Sequence, residues 1–140
     1  MLLQEPIATS SPVACIPGFY DADVAADQTN AQLLLAGSAA NDGVVMPKAG
    51  YIIGITGSLS AAATAGSLTV GVTVDGTEIA STTQTVTTAQ EIRAAFATDP
   101  ARHFNAGEQI GTEITTDSSW NGTTADLDVQ VWVVFEDWEF

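Results

Sequence analysis

Between Lys48 and Thr77 apolar residues fall at alternate positions in two separate runs. Tyr51, Ile53, Ile55 and Leu59 alternate with smaller or more polar residues, and Leu68, Val70, Val72 and Val74 alternate with Thr69, Gly71 and Thr73. A period of two places one set of side chains on one face of a strand and the other set opposite. The small residues of 61–66 read as the loop between the two strands. Asp75-Gly76 supplies the positive-φ positions of a tight hairpin turn. The stretch predicts an antiparallel β-domain.

The rest of the chain extends the pattern. Residues 29–36 read as a first strand, with Leu33 and Leu35 on one face, and Val44-Val45-Met46 as a short strand ended by Pro47. Residues 78–86 return from the Asp75-Gly76 turn as the second arm of a hairpin, with the polar run 81–85 on an exposed edge. Residues 89–97 fit two periods. Ile92 and Phe96 are four apart, as on a helix, while Ile92, Ala94 and Phe96 also alternate. Their place between strands favours a strand. Residues 109–116 point Ile110 and Ile114 inward and Glu113 outward. Residues 126–136 are the cleanest strand, with Leu127, Val129, Val131, Val133 and Phe135 on one face and Asp126, Asp128, Gln130 and Trp132 on the other. About eight strands joined by Gly-rich turns argue an all-β antiparallel sandwich, most simply an eight-stranded jelly roll of two four-stranded sheets. An immunoglobulin-like sandwich is the nearest competitor, but its Cys…Trp…Cys pattern is missing.

Residues 1–27 differ in texture. Pro6, Pro12 and Pro17 interrupt them and no period is sustained. Proline lacks a donor and restricts the residue before it, so this segment predicts an extended N-terminal arm outside the sheets, lying on a neighbouring surface or partly disordered, with Phe19 and Tyr20 as its candidate anchors. The sandwich is expected over 28–140. The N-terminus has neither a basic region nor a continuous apolar core, so no signal peptide is expected.

Charge narrows the partners. Seventeen acidic residues stand against three basic ones, Lys48, Arg93 and Arg102, for a net charge of −14. Nucleic acid and anionic membranes need clusters of Lys and Arg, so neither is expected as a partner. Self-repulsion at this charge is screened in salt, which fits a saline environment. No apolar run approaches the ~20 residues of a membrane-spanning helix.

No set of residues spells out a reaction. His103 is the only histidine and Cys15 the only cysteine. A zinc site, a Ser/His/Asp triad and an intramolecular disulfide all lack the residues they need. Asp21, Asp23 and Asp27 have a mild calcium-loop spacing, without the central Gly and terminal Glu of an EF-hand, and read as a solvated acidic loop. Asp126 and Asp128 sit on one side of one strand, roughly 7 Å apart, which is not how glycosidases present their two carboxylates. No catalytic residue, metal or cofactor is expected. Asn121-Gly122-Thr123 matches a glycosylation acceptor without a secretion signal to support it. Trp120 on a loop, Trp132 on the outer side of the last strand, and Trp138 and Phe140 on the tail are open to three readings. These are burial under the arm, contact with another subunit, or a stacking platform for sugar rings. With Phe19 and Tyr20 they form the candidate interface.

The segment 45–135 resembles small jelly-roll proteins of tailed bacteriophages, among them capsid decoration (cement) proteins and head- or tail-fibre domains. The resemblance rests on Met46-Pro47-Lys48-Ala49-Gly50-Tyr51-Ile52-Ile53-Gly54-Ile55, Ala65-Gly66-Ser67-Leu68-Thr69-Val70, Val74-Asp75-Gly76-Thr77, Phe104-Asn105-Ala106-Gly107-Glu108-Gln109-Ile110-Gly111 and Thr123-Thr124-Ala125-Asp126-Leu127-Asp128-Val129-Gln130-Val131. It covers about two thirds of the chain. It implies a structural protein of the virion, without cofactor, made in the host cytoplasm and placed on the capsid surface. The implied partners are copies of itself, as a trimer or another homo-oligomer, and the major capsid protein or another virion protein. The alternative it implies is a fibre module that binds a receptor or a host-surface glycan, with Trp120 and Trp132 as its platform.

Overall fold

The computed structural model describes residues 11–35 and 43–136, in which the alternating segments form twelve strands. They are β1 (Val13–Asp21), β2 (Ala31–Gln32), β3 (Leu34–Leu35), β4 (Gly43–Val45), β5 (Gly50–Leu59) and β6 (Leu68–Val74), then β7 (Thr77–Glu78), β8 (Gln84–Val86), β9 (Glu91–Ala95), β10 (His103–Phe104), β11 (Gln109–Thr116) and β12 (Leu127–Phe135). They make two antiparallel sheets packed as a β-sandwich. The first sheet runs β10–β5–β12–β1–β3, with β9 also on β5; the second runs β2–β11–β6–β7, with β4 on β11 and β8 on β6. Among strands of three residues or more, β1 pairs with β12, β4 with β11, β5 with β9 and β6 with β8.

The core lies between the sheets. Leu127, Val129, Val131 and Val133 of β12 lie beside Ile52 and Ile55 of β5 in the same sheet and point toward the core that Leu68, Val70 and Val72 of β6 fill from the other sheet, all fully buried. Each such side chain stabilises the fold by about 1.5–3 kcal/mol through apolar burial, so the pure apolar face of β12 sets its central place. At one end Phe104 and Phe135 meet edge to face, with ring centroids 6.2 Å apart. The hairpin after β6 is as expected: Asp75 and Gly76 have φ of 50° and 83°. Residues 91–95 are a strand, paired along β5.

Several expectations need correction. The largest concerns the arm. Val13–Asp21 is a nine-residue strand of the first sheet, hydrogen-bonded to β12 and partly to β3. Its prolines do not exclude it, because Pro17-Gly18 falls at a register break between Ile16 and Phe19, with Gly18 at φ 90°. A bulge at that point absorbs a residue that cannot donate. Residues 1–10 lie outside the described residues.

In β5 the expected one-face alternation of Tyr51, Ile53, Ile55 and Leu59 is broken by a bulge opposite Trp132 and Val133. The extra residue moves Ile52 inward and Tyr51 outward. The expected strand at 29–36 is divided between the sheets: Ala31-Gln32 pair with β11, and Leu34-Leu35 pair with β1. The return arm after β7 is interrupted by a 3-10 turn at Ala80–Thr82. There Thr82 is buried, its hydroxyl donating to the Ile79 carbonyl at 2.7 Å and accepting from the Val72 amide at 2.9 Å. Glu113 does face the outer side of its sheet, but it is buried there beneath Gln32 and beside Glu78.

Candidate functional site

The outer face of the first sheet gathers the exposed apolar side chains. Cross-strand pairing puts Val13 opposite Val134, Cys15 opposite Trp132 and Tyr20 opposite Asp128. It puts Tyr51 opposite both Val134 and His103. Val13, Tyr20 and Trp132 are 59%, 40% and 37% exposed; among the described residues Val45, on the other sheet, is the remaining large apolar side chain so exposed. Cys15 is an exposed free thiol in the same strip, and burial of its surroundings raises its pKa.

Trp132 is fixed in place. Its indole N–H donates to the Thr56 hydroxyl at 2.8 Å, Thr56 donates to the Gln130 carbonyl oxygen at 3.1 Å, and the Gln130 amide donates to Asp128 at 3.0 Å. Gly54, directly across from Trp132, leaves room beside the ring. A shallow apolar groove of about 280 Å³ runs along it, lined by Ile53, Ala94, Ala95 and the stem of Arg93. At the far end Tyr51 stacks edge-on against His103, with ring centroids 5.1 Å apart, and His103 Nε2 lies 2.8 Å from a Glu136 carboxylate oxygen. One of the chain's three basic residues and its only histidine thus lie on this face of a strongly acidic protein.

Among the described residues, the candidate interface residues do not all come together. Tyr20 and Trp132 share the outer face. Phe19 is fully buried in the core, one position along from Tyr20 on the opposite side of β1. Trp120 is also core, 3% exposed, and its indole N–H donates to the Val24 carbonyl at 3.0 Å. The two-tryptophan platform expected from Trp120 and Trp132 is therefore not formed. The loop signal around Trp120 was correct, but an indole can fold back under its own loop, and this one finds a buried carbonyl there. Trp138 and Phe140 lie outside the described residues.

The carboxylates have structural partners. Asp126 accepts from the Asp23 amide at 3.1 Å. A hydrogen bond to Asp126 holds the Tyr20 phenol above its usual pKa, reinforced by burial and by nearby carboxylate charge. Asp21 is held above its usual pKa by burial, then by Asp126 and Asp23. Asp117 is held below it, chiefly by the Ser67 hydroxyl. Asp23 and Asp27 adopt φ of 53° and 58° as turn residues. Among the described residues no group of three or more His, Cys, Asp or Glu is arranged to hold a metal ion. Asn121, the possible glycan acceptor, donates its Nδ2 to the Thr64 hydroxyl at 2.7 Å and accepts from the Thr64 and Ala65 amides.

The chain matches no protein-family model and no curated protein sequence. Among the described residues no helix is long and apolar enough to cross a membrane. What the arrangement offers is a rigid, partly apolar surface with one fixed indole. Val13, Cys15, Tyr51 and Val134 were not singled out from the sequence as surface residues. A signal was present in Val13-Ala14-Cys15-Ile16, which is apolar at every position and so apolar on both faces of a strand.

Proposed function

We propose that the protein is a structural component of a tailed-phage virion, decorating or cementing the capsid shell by associating with copies of itself and with the shell protein. The observation that carries this reading is the apolar strip formed by exposed Val13, Cys15 and Trp132 with half-buried Val134 on the outer face of the first sheet, in a chain of net charge −14. An uncharged, aromatic-bearing surface on an otherwise anionic molecule is where association can bury area without bringing carboxylates together.

The strand order supports the jelly-roll form of the reading. Taken in sequence, the eight strands of three residues or more pair first with last, second with seventh, third with sixth and fourth with fifth. That is one long antiparallel ribbon rolled into two sheets, an architecture used by viral capsid domains and lectins alike. Homo-oligomerisation, with a trimer as the number the resemblance implies, and placement on the capsid surface after synthesis in the host cytoplasm complete the proposal.

Antibodies against the purified protein, applied to intact particles of the virus that encodes it, test the reading by immunoelectron microscopy. Regular labelling over the head is expected; particles that carry no label contradict it. Labelling confined to fibre tips would favour the second reading, a receptor- or glycan-binding module. The fixed Trp132 indole beside its groove supports that alternative, since stacking on a sugar ring needs one preorganised aromatic face. In that case Trp132→Ala abolishes binding on arrays of host polysaccharide.

A further inference from the structure

Among the described residues, the first half of β1 is an open sheet edge. On one side β1 pairs with β12; on the other, among the described residues, β3 covers only Phe19 and Tyr20. The Phe135 amide donates to the Pro12 carbonyl at 2.9 Å. Hydrogen-bonded pairs alternate along an antiparallel ladder, so Ala14 and Ile16 turn their polar groups toward β12, and Val13 and Cys15 turn theirs outward. The edge is ended at Pro17-Gly18 by the register break.

This edge lacks the protection the others have. β9 carries Glu91 and Arg93, β7 carries Glu78, β2, β3, β7 and β10 are each two residues long, and β4 and β8, which are uncharged, are only three. Charge and brevity are the usual means of keeping edges from pairing. By contrast, no residue from Pro6 to Tyr20 is charged. The side chains of Val13 and Cys15 are exposed beside Trp132 and Val134, so the edge is continuous with the apolar strip.

We infer that β1 pairs antiparallel with β1 of a second copy, about a two-fold axis at Ala14, joining the first sheets of two molecules into one continuous sheet. Val13 of each copy lies opposite Cys15 of the other, and each pair exchanges both N–H···O=C bonds. A second copy is the occupant that fits. The antiparallel edge is self-complementary, and its described residues, Ser11 to Tyr20, present no carboxylate to a like-charged molecule. A basic partner would find its complement on the acidic surface elsewhere. The inference rests on the self-association reading, gives it a contact, and sets an even number of copies in place of a trimer.

The test combines solution mass with amide hydrogen exchange on the full chain. Cys15→Pro removes an outward N–H that no other described residue accepts, a placement edge strands tolerate. Val13→Glu, at an exposed position, places an acid near its own copy across the axis and serves if the proline variant misfolds. Each is expected to weaken association by at least about tenfold, with secondary structure retained. In the wild type the Val13 and Cys15 amides are expected to be protected in an even-numbered assembly and to exchange fast on dilution. Association that survives both variants, or an assembly of strictly three-fold symmetry, overturns this contact and leaves self-association standing. Protection of the two amides in the monomer also overturns it, since the chain then covers its own edge. A monomer at every concentration overturns both the contact and the self-association it rests on.

Discussion

The Trp120 indole N–H donates to the Val24 carbonyl at 3.0 Å, tying the loop before β12 to the segment just beyond β1 across 96 positions of sequence. The contact is doubled by the Val24 amide, which donates to the Ala125 carbonyl at 3.0 Å. Val24 and Trp120 both belong to the buried core. Of the three readings open to Trp120, burial against the segment that follows β1 is the one the structure shows.

Removing Trp120 should therefore act on stability. Trp120→Ala is expected to cost about 3–5 kcal/mol, the usual range for a buried aromatic, and Trp120→Phe about 1 kcal/mol for the missing donor. Urea denaturation checks both. An unchanged midpoint for the alanine variant would show that the ring is not held as described.

Gly66 packs against the backbone of Trp120. It sits at φ +78°, and a Cβ there would lie 2.2 Å from the Trp120 amide nitrogen. Gly76, at φ +83°, has open space around the same position. Gly76→Ala should cost about 1 kcal/mol for its backbone angle alone, and Gly66→Ala distinctly more, because backbone atoms must also move. Equal costs in thermal melts would contradict the packing.

Truncation separates the strand from what precedes it. A chain beginning at residue 11 keeps β1 whole and should melt cooperatively. One beginning at residue 28 loses Phe19, fully buried, and the partner on one side of β12. It should have no cooperative transition by circular dichroism. If it folds like the full chain, residues 13–21 are dispensable and their place in the sheet is wrong.

The sandwich was legible because β6, β11 and β12 obey a strict alternation, and their inward sets Leu68/Val70/Val72, Ile110/Ile114 and Leu127/Val129/Val131/Val133 are all buried. What failed was local. Pro12 and Pro17 argued against a strand, but a single bulge makes room for Pro17-Gly18. The bulge at Ile53 exchanged the faces of half of β5, which no count of alternating residues could anticipate. At the site, alternation correctly put Trp132 outward. Whether Trp120 folded inward depended on Val24, nearly a hundred residues away, and so on tertiary contact alone.

Glu113 gives a pH signature. Burial first, then the charge of Glu78, holds its carboxyl above the usual pKa, opposed by the amide of Gln32 at 2.8 Å. A carboxyl with a raised folded-state pKa contributes stability below its unfolded pKa, and loses it as pH rises through the folded value. Glu113→Gln should keep the contact with Gln32, raise stability at neutral pH and flatten the decline above the ordinary glutamate range. A steeper decline in the variant's melting temperature against pH would refute this.

Trp132 is held by surface contacts, so Trp132→Ala should cost only about 1 kcal/mol of stability while weakening self-association. A variant that associates as the wild type does would move the interface off this face.

The most direct test of the whole account is the mass of the purified protein in solution, by sedimentation equilibrium, from low to high salt. At a net charge of −14, added salt screens the repulsion between copies and leaves apolar and backbone contacts in place. The account predicts an assembly that holds or grows as salt is raised and is dispersed by changes on the Val13–Trp132 strip. A monomer at every salt and protein concentration would contradict it.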